Sequence, residues 1–237
     1  MTNPNNRVNV INVLIIACGI VYVASWLVPG LVDQFLFYPS LGFTEPWRFL
    51  TAAFLHGGIV HLASNMAFLY ILGSLALRVM SSYQILLIYL LSAWGGSLGT
   101  LAWALLTGQQ QAVVGASGAV LGLCAGVFVY TRNLHASSSA LGGLLLINLL
   151  IGFVIPNVSW QGHLGGALVG AFIGWALHLV AVISGRRGRK QLGQAIPDVV
   201  DRQRASATVK RTQIIGNLLV TVVSVALLLM ATVGCYI

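Results

Sequence analysis

The chain has 237 residues, 58% of them hydrophobic and 7% charged, with a mean hydropathy of +0.91. That balance excludes a soluble globular domain, in which about 25% of residues are charged, and implies an all-α polytopic membrane protein. The formal net charge of +8 does not argue for a nucleic-acid partner, because the cations fall where membrane topology alone would put them.

Crossing an apolar layer of ~30 Å takes roughly 20 mostly apolar residues. Seven such stretches can be drawn, near 8–28, 59–79, 83–106, 113–131, 139–155, 158–183 and 213–236. The first is too long for a removed signal peptide and lacks a small-residue cleavage pattern, so it reads as a retained helix. Residues 29–58 form an outer loop with Pro29, Pro39 and Pro46 and with aromatics from Phe35 to Phe43. It is too polar to span and aromatic enough to lie in the membrane interface. The stretch 184–212, basic and with Gly and Gln, reads as a cytoplasmic linker ahead of the last span. The expected organisation is a six-helix core over 1–183, this linker, and a seventh helix over 213–237. Arg7, Arg78, Arg132 and eight cations between 186 and 211 lie on one side, and Arg48 alone on the other. The positive-inside rule then puts the N-terminus in the cytoplasm and the C-terminus outside. Cys18, Cys124 and Cys235 all fall inside spans without paired spacing and read as packing residues.

The second, fourth and sixth spans run inward from the outer face, so residues early in each share a depth. Ser117 comes ~4 residues into the fourth span and His163 ~5 into the sixth, roughly 6 to 8 Å below the boundary at 1.5 Å per residue. His61 and Asn65 stand equally early in the second. Polar side chains inside a bilayer are costly, and four at one depth on three helices point to a site, although interhelical hydrogen bonding also explains any one of them. Gly118, Gly122 and Gly126 recur every four residues, as do Gly166, Gly170 and Gly174, giving two faces that let helix backbones approach closely. His163 precedes Gly166 by three residues and so faces the helix of Ser117.

A serine needs a base to become a nucleophile, and a neutral imidazole is the usual one. A helix N-terminus adds free N–H groups where an oxyanion would form, and His61 and Asn65, one turn apart, can donate to it as well. All four acids, Asp33, Glu45, Asp198 and Asp201, read as loop residues, so the chemistry is expected to run on a Ser-His dyad. No HExxH helix and no intramembrane aspartate pair is present to carry metal or aspartyl hydrolysis. His56 and His61 lack a nearby carboxylate or cysteine to complete a metal site. His135 and His178 read as interfacial or packing residues.

These motifs resemble those of the rhomboid intramembrane serine proteases. The resemblance is carried by "WRFLTAAFLHGGIVHLASNM" (47–66), with its His-x4-His-x3-Asn spacing, by "GASG" (115–118) and by "HLGGALVG" (163–170). It implies a six-helix core with one appended C-terminal transmembrane helix. It also implies Ser117 as nucleophile, His163 as general base and then acid, and an oxyanion hole of His61, Asn65 and the Ser117 amide. Gly115 would keep the approach to the serine open, Gly118, Gly166 and Gly170 would support close packing, and Trp47 and Arg48 would belong to the interfacial loop. Leu121 departs from the family, which often has an aromatic there under the imidazole. No cofactor or metal is implied.

The expected activity is endoproteolysis of single-pass transmembrane proteins within the lipid bilayer, near its outer face. A helical substrate satisfies its own amides, so the cut segment must unwind first. Compactness and the lack of a targeting extension suggest a bacterial inner membrane. The alternatives are a catalytically idle relative that binds helices for quality control, and a channel or transporter. Retention of Ser117 and His163 disfavours the former. A polar layer at one depth, instead of a path across, disfavours the latter.

Overall fold

A computed structural model describes residues 9–132, 138–155, 158–192 and 199–236, so Arg7, His135 and Asp198 lie outside the described residues. Helix α1 (Val10–Leu27) leads into a loop that holds two one-turn helices, α2 (Leu31–Phe35) and α3 (Arg48–Thr51). Then follow α4 (Ile59–Ala76), α5 (Ser82–Thr107), α6 (Ser117–Thr131), α7 (Ser138–Val154), α8 (Trp160–Leu192) and α9 (Val199–Gly234). The chain is a polytopic all-α membrane protein. Among the described residues α1, α4, α5, α8 and α9 are each long and apolar enough to cross a membrane, while α6 and α7, also apolar, are shorter.

Local sequence fixes several helix ends. The Asn9 side chain caps α1, accepting from the Ile11 amide at 2.7 Å. Ser81 and Gln84 form a reciprocal capping box at the start of α5. Gly108, in the left-handed region at φ 74°, closes α5 with its N–H on the Ala104 carbonyl at 2.8 Å.

Two boundaries differ from the sequence expectation. The fourth span was expected from 113, but α6 begins at Ser117, because Gly115 at φ 127° breaks the helix and 113–114 lead into it as non-helical chain. The supposed linker 184–212 is largely helical: 184–192 continue α8, 199–212 open α9, and 193–198 lie outside the described residues. Arg, Lys, Gln and Ala are good helix formers, and a run of charge marks departure from lipid without ending a helix. Asp201 therefore sits in α9 and not in a loop.

Helix α6 is wrapped by α4, α5, α7 and α8, and its residues Ala119–Val127 are all buried. The glycine faces of α6 and α8 meet. A Cβ at Gly166 would strike the Gly118 backbone, one at Gly170 the Gly122 backbone, and one at Gly174 the Gly126 backbone. A second seam joins α5 to α8, where Cβ atoms at Gly96 and Gly99 would lie 3.0 and 2.5 Å from the Gly162 and Gln161 carbonyl oxygens. Thus α8, which carries His163, is held against two neighbours at backbone distance. Large apolar side chains such as Ile16, Leu150, Leu168 and Val222 stay exposed on the outside, as lipid contact requires.

Candidate active site

Ser117 is the first residue of α6, so its own N–H and the next ones have no acceptor within the helix. The segment leading to it lies among apolar helices and still satisfies its backbone. Val113 exchanges both hydrogen bonds with Phe37 of the loop after α1, at 3.0 and 2.8 Å, and the Gly115 amide reaches the Ala52 carbonyl at 2.9 Å. Gly115 is required twice over. Its φ of 127° is open to few L-residues, and a Cβ there would stand 2.6 Å from Cε1 and 2.7 Å from Nε2 of His61. The His61 ring therefore lies over the turn that delivers the serine.

His163, on α8, brings Nε2 to 2.8 Å from the Ser117 Oγ and is 7% exposed. With Nε2 accepting, the ring proton resides on Nδ1. Nδ1 makes no hydrogen bond of full geometry, and the ring lies beside the backbone of Asn148 on α7. Gly152, one turn further along α7, leaves room for the ring: its Cβ would sit 3.2 Å from Nδ1.

Asn65 is buried on α4, and its Nδ2 donates to the His61 carbonyl at 2.8 Å. That bond fixes the amide and leaves its second hydrogen free. Ser117, His163, His61, Asn65, Leu121 and Asn148 all line one cavity of about 860 Å³ between α4, α6 and α7. Its remaining wall is mostly apolar, and α4 and α7 flank it without substantial contact with each other. Leu121 is buried one turn below Ser117. The aromatic packing nearby comes instead from Trp160, one turn before His163, which stacks on Phe153 at 4.8 Å.

The other polar residues are engaged elsewhere. Arg48 is buried, paired with Glu45 at 2.6 Å, and donates to the Asp33 and Leu36 carbonyls at 2.7 Å each. The Glu45 carboxylate is thereby turned to Arg48, and the Asp33 side chain is exposed. His178 Nδ1 lies 3.0 Å from the Tyr130 carbonyl. His56 is buried, with its ring 5.2 Å from that of His61. Burial, helped by His61, pushes its pKa down to about 4. Among the described residues no three His, Cys, Asp or Glu side chains gather as a metal site.

An imidazole nitrogen 2.8 Å from a hydroxyl is placed to take its proton, and a helix N-terminus beside that hydroxyl can receive an oxyanion. Sequence reading passed over Asn148 and Gly152, although an asparagine inside an apolar helix was the available signal. It also passed over the Phe37–Val113 pairing, which is long-range and carries no local motif.

The family model of the rhomboid domain matches residues 43–180. Rhomboid-like protein 11, chloroplastic, of Arabidopsis thaliana is 32% identical over 197 residues, 73% of this chain and 67% of its own. RHOMBOID-like protein 6, mitochondrial, of the same plant is 38% identical over 141 residues, 56% of this chain and 44% of its own. Rhomboid protease GluP of Bacillus subtilis (strain 168) is 35% identical over 141 residues, 57% of this chain and 27% of its own. The chain thus spans less than half the length of the latter two.

Proposed function

This chain belongs to the rhomboid family, and we propose that it is an intramembrane serine endopeptidase that cuts single-pass transmembrane proteins near the outer face of the membrane. The observation that carries this reading is the 2.8 Å contact between His163 Nε2 and Ser117 Oγ. A packing role for either residue does not require it.

In this reading the Ser117 Oγ attacks a substrate carbonyl as His163 Nε2 takes its proton. The resulting oxyanion is met by the Ser117 N–H, the free hydrogen of Asn65 Nδ2 and the His61 ring. His163 then returns the proton to the leaving amine, the peptide C–N bond breaks, and an acyl-enzyme remains on Ser117. Water, deprotonated by His163, hydrolyses that ester, and the proton goes back to Ser117. The ring is held in this reading by its Nε2 contact with Ser117 and by the close packing of α7 at Gly152, where a Cβ would lie 3.2 Å from Nδ1. Substrate enters from lipid between α4 and α7, where the cavity wall is apolar and the two helices are not packed together. Residues 1–183 act as the catalytic core in this reading, and the last span, 213–237, is appended to it. The exposed cations Arg78, Arg132, Arg186 and Lys210 favour an orientation with these ends on the cytoplasmic side of the membrane.

A fluorophosphonate tests the nucleophile directly. Incubation of the purified chain is expected to give one covalent adduct, mapped by peptide mass spectrometry to Ser117 and lost in Ser117→Ala. A folded chain that takes up no label, or takes it up equally as the alanine variant, overturns the reading.

A further inference from the structure

The outer end of α9 is built into the loop that holds the active-site turn. Tyr236, just beyond α9, donates its phenol to the Pro39 carbonyl at 2.9 Å and packs its ring on Phe43 at 5.4 Å. Gly42 leaves the space this needs, since a Cβ there would collide with the Tyr236 phenol oxygen. One turn earlier, Thr232 accepts from the indole of Trp94 on α5 at 3.1 Å. Trp94 packs on Phe49 at 6.0 Å, and Phe49 packs on Phe37 at 4.8 Å. Phe37, Phe49, Ala52 and Leu101 form a small core of their own, separate from the main one, with Trp94, Cys235 and Tyr236 closing over it.

This small core holds both groups that fix the turn before the serine. The backbone of Phe37 pairs with Val113, and the carbonyl of Ala52 accepts from Gly115. Residues 113–116 belong to no helix, so their path depends on those bonds. Two routes therefore lead from α9 to Ser117, one through Tyr236, Pro39 and Phe37, the other through Thr232, Trp94 and Phe49. A misplacement of ~1 Å at a reacting centre costs about 10²-fold in rate.

We infer that the outer end of α9 is a positioning element of the active site: it clamps residues 37–43 against α5, and so sets where the Ser117 amide and hydroxyl stand. The inference rests on the protease reading above. It gives the appended helix a task beyond anchoring, with Tyr236 and Thr232 as positioning residues that never touch substrate.

The test uses the full chain in proteoliposomes with a transmembrane reporter, reading kcat and KM separately, together with the rate of fluorophosphonate labelling. Tyr236→Ala is expected to lower kcat and the labelling rate in parallel by about tenfold or more, with KM little changed. Tyr236→Phe, which keeps the ring contact and loses the hydrogen bond, is expected to fall between it and the parent. Thr221→Val breaks the contact of α9 with Tyr83 at the start of α5, about three turns away from Thr232, and is expected to leave kcat unchanged. Parent-like kcat in Tyr236→Ala overturns the inference, as does an equal kcat loss in Thr221→Val, which would make the effect one of general stability. If the parent chain neither labels nor cleaves, the protease reading itself has failed, an outcome distinct from an active parent with a silent Tyr236 effect.

Discussion

The demands on single residues are sharpest where backbone and side chain compete for the same space. Gly115 combines a φ of 127° with the His61 ring at 2.6 Å from any Cβ. Gly115→Ala is therefore expected to push His61 away and to abolish detectable cleavage while the helices still form, as circular dichroism would report. A second residue-scale effect concerns Asn65. A donor to the oxyanion acts in the transition state, so Asn65→Ala should lower kcat by ~10²-fold with little change in KM. A loss seen only in KM would make Asn65 part of the substrate groove. His56 gives a pH dependence whose sign follows from burial. Its pKa is lowered from 6.5 to about 4 in the fold, so between those values the unfolded chain binds more protons. Stability is then full above about pH 6.5 and falls as pH drops toward 4. Thermal unfolding across pH 4 to 7 should show this decline, and His56→Phe should blunt it.

Whole elements divide into those with a periodic signal and those without. The facing glycine stripes of α6 and α8 were legible, because a four-residue repeat of the smallest residue has few other uses in an apolar helix. The matching seam on α5 was passed over: Gly95 and Gly99 are also four residues apart, but two such glycines make a shorter signal than three, and Gly96 lies off that register. The start of α6 was misread at 113 because apolar composition cannot distinguish a helix from extended chain leading into one. The dependence of α8 on its seams gives a paired expectation. Gly170→Val would drive its side chain into the Gly122 backbone, whereas nothing lies within 4 Å of a Cβ at Gly143 on α7. The former should lower the midpoint of thermal unfolding and abolish labelling of Ser117 by separating α8 from α6. Gly143→Ala should leave labelling intact and hold or raise stability by up to ~1 kcal/mol, as expected of an unstrained helical glycine.

For the molecule as a whole, the seams put rigidity on one side of the site and the α4–α7 opening on the other. The face of His163 and Ser117 is fixed by backbone contact, while the side between α4 and α7 is lined mostly by apolar side chains. That asymmetry suits a substrate that must arrive as a helix and unwind before its carbonyl can be reached. Helix-breaking residues near the cut are expected to speed cleavage by making that step easier. The hydropathy pattern foretold an all-α polytopic membrane protein, but the tie between residues 37–52, α9 and the active-site turn was invisible in it, because its key contacts join residues up to 197 apart in the chain. The central claim, that Ser117 and His163 cleave peptide bonds inside the membrane, is tested most directly by reconstituting the chain with a single-pass reporter and sequencing the new N-terminus. The account predicts one cut in the outer part of the reporter span, lost in both Ser117→Ala and His163→Ala. Cleavage at the same bond and rate by either variant would contradict it.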